Sequence, residues 1–361
     1  MRRSQGDSEI KGEHALDKYM EQDCREYIER IDLTPLKGKT VLITGANGLI
    51  GTYLIYMLHI SNVVNDTGIN IEAVSRSTPN KALSEVFDSN YRFHPLDLNL
   101  PDSLDMLQKA DYIIHGATYA QPGKFLRNYL DTIHLNTVVA EKLLQKARVN
   151  NADFLYMSSS EVYGEPDADN IPTREEFPGL CSPVNIRSIY SEAKRIGETL
   201  CFAYKNYENV NAKIARISMT YGPGVSANDE RVLTQFIRQA LNKKEIIMMD
   251  SGSKVRTFCY IADCVLMLLN VMLYGTQLVY NVGGKESITI RKLAEEICAI
   301  TGSKLSVENS EYNFAEKVKV SPQHVELSIE RICSEFGLDN FKPMSEGLRR
   351  TIEWNRRNYN F

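Results

Sequence analysis

Between Lys39 and Ile217 short apolar runs alternate with longer amphipathic stretches, and this alternation restricts the fold more than any other feature. Strands are expected at Lys39–Thr44, Ile69–Ser75, Tyr91–Pro95, Asp111–His115, Phe154–Ser158 and Ala212–Ile217. Helices are expected at Gly48–Ile60, Asp102–Lys109 and Ile186–Tyr207, with one long helical segment running to Val149. Strands separated by helices cannot pair through tight hairpins. They pair in parallel, under helices on both faces. The expected class is α/β, a doubly wound parallel sheet.

After Ser218 the elements shorten and Gly and Ser become frequent. Helices are expected at Glu230–Asn242, Ile261–Leu273 and Thr289–Ala299, and near Glu326–Glu335 and Ser345–Trp354. Strands are expected at Glu245–Met249, Arg256–Tyr260 and Leu278–Asn281. This reads as a smaller C-terminal α/β substrate-binding lobe, residues 218–361, with some strands returning to the main sheet. At the other end, Leu16, Met20, Cys24, Tyr27, Ile28 and Ile31 recur at helical spacing. Residues 1–36 are thus an extension carrying an amphipathic helix, preceded by a disordered stretch over residues 1–12.

Composition narrows the function classes. The net charge of -4 over 361 residues argues against a partner among nucleic acids or anionic membranes. No apolar run approaches the ~20 residues of a membrane span; Val265–Leu273 is short enough to be a core helix. The seven cysteines show no CxxC spacing and no paired histidines, which points to reduced thiols, no disulfide framework and no metal site. A cytoplasmic location is the expectation.

Thr44-Gly45-Ala46-Asn47-Gly48-Leu49-Ile50-Gly51 lies where the first strand meets the first helix of the alternating region. Glycines there allow a tight turn and close approach of backbone N–H groups to a pyrophosphate, while the helix N-terminus supplies positive potential. Placement at that junction makes residues 37–217 a Rossmann-like dinucleotide-binding domain. At the end of the second strand stands Ser75-Arg76-Ser77 instead of the acidic residue that normally takes a ribose 2′-hydroxyl. By charge alone Arg76 suits a 2′-phosphate, which would admit NADP.

Tyr190 and Lys194 are four residues apart in an expected helix, so they share a face. A free tyrosine, with a pKa near ~10, is a poor base at neutral pH. A neighbouring ammonium favours the phenolate, which can then take a proton from an alcohol. Met157-Ser158-Ser159-Ser160-Glu161-Val162-Tyr163-Gly164 follows the fifth strand, at the carboxyl edge where open α/β sheets carry their sites.

Gly45, Gly48 and Gly51, each three apart, together with the Ser159–Tyr190–Lys194 set, resemble the extended branch of the short-chain dehydrogenase/reductases. Within it, Ser159-Ser160-Glu161-Val162-Tyr163-Gly164, Arg187-Ser188-Ile189-Tyr190, Tyr221-Gly222-Pro223, Asn228-Asp229-Glu230-Arg231-Val232 and Gly252–Phe258 are similar to the nucleotide-sugar epimerases and dehydratases, most of all the UDP-glucuronate decarboxylases. The resemblance covers residues 38–357. It implies bound NAD held by Gly45, Asn47, Gly48, Leu49, Ile50, Gly51, Arg76, Asp97, Leu98, Ala117, Tyr190 and Lys194. It implies catalysis by Ser159, Glu161, Tyr190 and Lys194, and a nucleoside-diphosphate sugar held by Gln121, Ser160, Arg187, Met219, Arg231 and Arg256. It also implies a homodimer built on the helices near 125–149 and 186–207.

On this resemblance the sugar is oxidised transiently at C4, and the leading outcomes are decarboxylation and C4 epimerisation. A 4,6-dehydratase or a net dehydrogenase/reductase is the alternative. Dehydratases usually carry Asp where Ser160 stands, which counts against dehydration. A dinucleotide-sensing protein without catalysis would typically have lost Tyr190 or Lys194. The chain departs from the pattern on the substrate side. Met219 replaces an Asn, Gly224 replaces an Arg, and Tyr119-Ala120-Gln121-Pro122-Gly123-Lys124 replaces a Pro/Ser-rich loop.

Overall fold

The computed structural model describes residues 16–308 and 322–359; the stretch over residues 1–12 lies outside them. Helix α1 (Lys18–Ile28) comes first, its opening turn capped by the Asp17 carboxylate. The alternating region follows: β1 (Thr40–Thr44), α2 (Leu49–Asn65), β2 (Asn70–Ser75), the single turn α3 (Lys81–Ser84), β3 (Tyr91–Pro95) and β4 (Tyr112–His115). It continues through α4 (Pro122–Arg127), α5 (Tyr129–Asn136), α6 (Val138–Asn150), β5 (Asp153–Ser159), α7 (Ser188–Tyr207) and β6 (Ala212–Ile217).

After β6 come β7 (Met219–Tyr221), α8 (Val232–Lys243), β8 (Glu245–Met248), β9 (Val255–Tyr260), α9 (Ile261–Tyr274) and β10 (Val279–Val282). The described chain closes with β11 (Ser287–Thr289), α10 (Ile290–Thr301), β12 (Lys304–Val307), β13 (His324–Val325), α11 (Glu330–Phe336) and α12 (Met344–Asn358).

Seven strands form one parallel sheet in the order β3-β2-β1-β4-β5-β6-β10. The strand order reverses between β1 and β4, so the two crossovers diverge there and leave a crevice at the carboxyl edge. Helices α6 and α7 cover one face, and α2 and α9 the other. Every residue of α9 from Ile261 to Met272 is buried, against α1, α2, β6 and β10. Each Leu, Ile or Met buried there contributes about 1.5–3 kcal/mol of transfer free energy. Among the described residues no helix is long and apolar enough to cross a membrane, and all seven cysteines are free thiols.

The remaining strands build a smaller layer beside the crevice. Strand β9 pairs in parallel with β7 and β13 and antiparallel with β11, while β8 pairs with β12. Three expected helices change shape. The long segment before Val149 breaks at Asn128, whose side chain bonds the Lys124 carbonyl at 2.8 Å, and at Thr137 (φ −117°, ψ −78°). Asp102–Lys109 shrinks to a 3₁₀ turn over Ser103–Met106, because Asp102 is left-handed and Leu107 already extended. The helix expected from Glu326 starts at Glu330, since Glu326 and Ser328 bond the backbone of Thr173 on either side.

Candidate active site

The phosphate loop owes its shape to two close backbone approaches. A Cβ on Gly45 (φ +80°) would lie 2.7 Å from the Gly116 carbonyl oxygen, and one on Gly51 2.4 Å from the Gly45 carbonyl. With hydrogens only, the ends of β1 and β4 and the start of α2 come together. The first-turn N–H groups of α2, at Leu49, Ile50 and Gly51, have no partner within the helix and open toward the crevice. Asn47 fixes the loop laterally. Its amide donates to Ser77 Oγ (3.0 Å) and the Thr78 carbonyl (2.8 Å), and its oxygen accepts from the Asn80 amide (2.8 Å).

Beneath the loop, His115 sits between two fixed partners, Thr44 Oγ1 at 2.8 Å and the Leu135 carbonyl at 2.9 Å. A carbonyl only accepts, so Nε2 carries the proton and Nδ1 accepts from Thr44. Burial, with the Lys194 charge nearby, pushes His115 down to about 3, which keeps the ring neutral. The Thr44 oxygen in turn accepts from the amides of Gly116 and Ala117, both at 3.2 Å, and so sets the floor of the crevice.

One cavity of about 1570 Å³ runs from this loop across the carboxyl edge to β8 and α10. Every residue that the sequence reading placed in a site lines it. Gly45, Asn47, Gly48, Leu49, Ile50, Gly51, Arg76, Asp97, Leu98 and Ala117 lie at one end. Ser159, Ser160, Glu161, Arg187, Tyr190 and Lys194 are also on its wall, as are Gln121, Met219, Arg231 and Arg256.

Tyr190 and Lys194 are both buried on α7, and the ammonium reaches the Tyr190 ring only at the longer of its two ring contacts. The Lys194 ammonium donates to the Met157 carbonyl at 2.5 Å and lies 4.7 Å above the Tyr156 ring, against 5.9 Å from the centre of the Tyr190 ring. Burial pushes the Tyr190 phenol well above its ordinary range; a hydrogen bond from Ser159 and the positive charge of Arg231 pull it back, while Glu161 opposes them. Ser159 Oγ accepts from the Glu161 amide at 3.2 Å, which leaves its proton for Tyr190. The aid to the phenolate thus comes from Ser159 and Arg231. Phe125 stacks on Tyr190 at 5.3 Å between ring centres.

Four arginines on the cavity wall have partners within the protein that the sequence did not show. Arg187 pairs with Glu161, and Arg231 pairs with Asp229 through three contacts of 2.6–3.1 Å. Arg256 donates to the carbonyls of Val255 and Pro322, each at 2.6 Å. Arg76 binds the Tyr119 hydroxyl and lies over that ring, on the wall of the same cavity as Asp97 and Leu98. Sequence reasoning missed Tyr119 as Arg76's partner, and also Glu198. The Glu198 carboxylate accepts from Ser158 at 2.6 Å and from Arg216 at 2.7 Å, tying β5 and β6 to α7 behind Lys194. Its signal was a lone Glu four residues beyond Lys194.

A model of the NAD dependent epimerase/dehydratase family matches residues 41–283. The chain belongs to that family. Curated relatives are similar along nearly the whole chain. UDP-glucuronic acid decarboxylase 1 of Danio rerio is 30% identical over 98% of this chain and 84% of its own length. UDP-glucuronic acid decarboxylase 5 of Arabidopsis thaliana is 32% identical over 85% of this chain and 86% of its own.

Among solved structures, the UDP-glucuronic acid 4-epimerase of Bacillus cereus has a TM-score of 0.75 at 22% identity, covering 89% of this chain and 100% of that one. The dTDP-glucose 4,6-dehydratase DesIV of Streptomyces venezuelae, solved with NAD, also has a TM-score of 0.75 at 22% identity, over 88% and 97%. These confirm the Rossmann-like α/β fold. As an NAD dependent epimerase/dehydratase family member the chain is an enzyme with NAD as cofactor, and the side-chain-free cradle at Gly45, Gly51 and Gly116 fits a dinucleotide.

Proposed function

We propose that this enzyme acts on a UDP-sugar, oxidises it transiently at C4 and releases a redox-neutral product, with decarboxylation of a UDP-glucuronate-type substrate as its reaction. The observation that carries this reading is the meeting of Ser159, Tyr190 and Lys194 on the wall of the cavity that also holds the glycine cradle. Support comes from the relatives named above, which are UDP-glucuronic acid decarboxylases.

Residues 37–217 hold the cofactor, through Gly45, Asn47, Gly48, Leu49, Ile50, Gly51, Arg76, Asp97, Leu98 and Ala117. Residues 218–361 supply most of the substrate lobe. Tyr190 takes the proton of the C4 hydroxyl, and Ser159 donates a hydrogen bond to the same oxygen. Lys194 holds the cofactor ribose. NAD, when bound, would supply a hydride acceptor next to C4 and a hydride donor for the closing reduction. A ketone at C4 accepts the electron pair of the breaking C5–carboxylate bond as an enolate, so carbon dioxide leaves and C5 then takes up a proton. Ser160 and Glu161, the latter oriented by Arg187, handle the chemistry at C5. Arg231 and Arg256 meet the diphosphate, whose geometry suits a guanidinium. Gln121 and Met219 border the sugar.

C4 epimerisation is the second reading, favoured by the substrate-side departures at Met219 and Gly224. Dehydration is disfavoured, because Ser160 cannot serve as the acid for a leaving hydroxyl. The working form is a cytoplasmic homodimer. Helices α5 and α7 pack together and leave Leu130, Ile133, Ile196 and Phe202 exposed, an apolar face suited to a second copy. Turnover of UDP-glucuronic acid with no net change at the NADH absorbance band supports the redox-neutral reading; steady NADH accumulation overturns it.

A further inference from the structure

The loop from Gly222 to Arg231 carries Gly224, Val225, Ser226, Asp229 and Arg231 into the cavity wall. Two backbone hydrogen bonds lie within it, the Val225 amide to the Gly222 carbonyl at 3.4 Å and the Asp229 amide to the Ser226 carbonyl at 2.9 Å; side-chain bonds gather toward its far end, where Asp229 accepts from the Arg231 amide at 2.8 Å and from its guanidinium. From outside, Arg238 of α8 donates to the Ala227 carbonyl at 3.0 Å, and the half around Gly224 and Val225 is held from behind by α1 and by Tyr359 after α12.

Helices α1 and α12 are laced together. Trp354 Nε1 donates to Asp17 Oδ2 at 2.7 Å, Tyr19 donates to Glu353 at 3.2 Å, and Arg350 reaches the Asp23 carboxylate at 3.0 Å. Asp23 is fully buried and also accepts from Tyr53 of α2 at 3.0 Å and from Tyr260 of β9 at 2.6 Å. One carboxylate therefore joins the helix behind the phosphate loop, the strand that carries Arg256, and the last helix.

Both ends of this pair touch the loop. Gly224 (φ +92°) has a conformation that side chains rarely adopt, and a Cβ there would meet Leu49 at 3.3 Å and Met20 Sδ at 3.5 Å. Met20 of α1 thus lies against the join between cofactor loop and substrate loop. Just beyond α12, the Tyr359 hydroxyl donates to the Val225 carbonyl at 3.0 Å and accepts from the Ala227 amide, with its ring edge-on to Trp354 at 5.3 Å.

We propose that the chain ends form a brace that positions the 222–231 loop for the diphosphate end of the substrate, with Met20 and Tyr359 as its positioning residues. The proposal rests on the cavity reading given above. It assigns the N-terminal extension a part in binding, although the family match begins only at residue 41.

Tyr359→Phe keeps the ring against Trp354 and removes only the hydroxyl; Met20→Ala removes the wedge, and Met20→Leu restores it. Two readouts are compared with the wild-type protein: backbone hydrogen exchange and UDP affinity by calorimetry. In Tyr359→Phe and Met20→Ala, peptides covering 222–231 should exchange faster and those covering 188–207 should not. UDP affinity should fall about fivefold, the scale of one lost hydrogen bond, and Met20→Leu should recover it. Unchanged exchange in both variants overturns the brace. Faster exchange with unchanged UDP affinity overturns its role in positioning. Wild-type protein that binds no UDP overturns the cavity reading itself, and the proposed role with it, whatever the exchange shows.

Discussion

Arg187 grips Glu161 through two contacts, Nη2 to Oε1 at 2.5 Å and Nε to Oε2 at 3.2 Å. The carboxylate that the sequence offered as a catalytic group is thereby fixed in one orientation on the cavity wall. Removing the guanidinium frees it. Arg187→Met should lower kcat about tenfold to a hundredfold, the scale of a charge-assisted hydrogen bond of ~1.5–3 kcal/mol. Arg187→Lys should recover only part, since an ammonium cannot make the paired contact. Steady-state kinetics with unchanged circular dichroism tests this.

Lys194 gives a pH signature. Burial lowers its ammonium from the usual 10.5 to about 7, against the opposing pull of Glu198. Between about 7 and 10.5 the unfolded chain holds a proton that the folded chain lacks, so stability contributed at this site rises with pH across that window. Below it, folding must bury the charge. Lys194→Met should therefore be most stable relative to wild type near pH 6, and that advantage should shrink as pH rises to 10. Melting curves across the range check it; a constant difference contradicts it.

Gly45→Ala forces a Cβ to within 2.7 Å of a backbone carbonyl at a φ of +80°. Neither the β4 end nor the sheet beneath can give way cheaply. The variant should lose bound NAD on purification and melt several degrees lower, about 1–3 kcal/mol of strain. Retention of stoichiometric NAD would show that the cradle tolerates a side chain.

How much of this was legible in the sequence differs by element. The parallel sheet was readable because β1, β4 and β5 carry continuous apolar runs, the mark of strands buried on both faces, and β2 interrupts its run only at Glu72. The glycine cradle was readable from its spacing. The break of the helical segment at Asn128 and Thr137 was not, since both residues are tolerated inside helices and tertiary contacts decide. Nor was the direction of the Lys194 ammonium. Helical spacing places it beside Tyr190, but the Met157 carbonyl, 37 residues away, competes for it at 2.5 Å. The partners of Arg76, Arg187 and Asp23 likewise come from distant segments, beyond the reach of local pattern.

The exposed face of α5 and α7 leads to a prediction about assembly. Wild-type protein should sediment as a dimer, and Ile196→Glu, which places a charge among Leu130, Ile133 and Phe202, should shift it toward monomer. A wild-type monomer would exclude this face as the interface.

In the proposed reaction Tyr190 starts a redox-neutral loss of carbon dioxide from a UDP-sugar. Mass spectrometry of products from UDP-glucuronic acid tests it most directly, with Tyr190→Phe alongside. The wild-type reaction should yield a nucleotide sugar lighter by carbon dioxide, and the variant should be slower by about a hundredfold or more. A product of unchanged mass, or a fully active Tyr190→Phe, would contradict it.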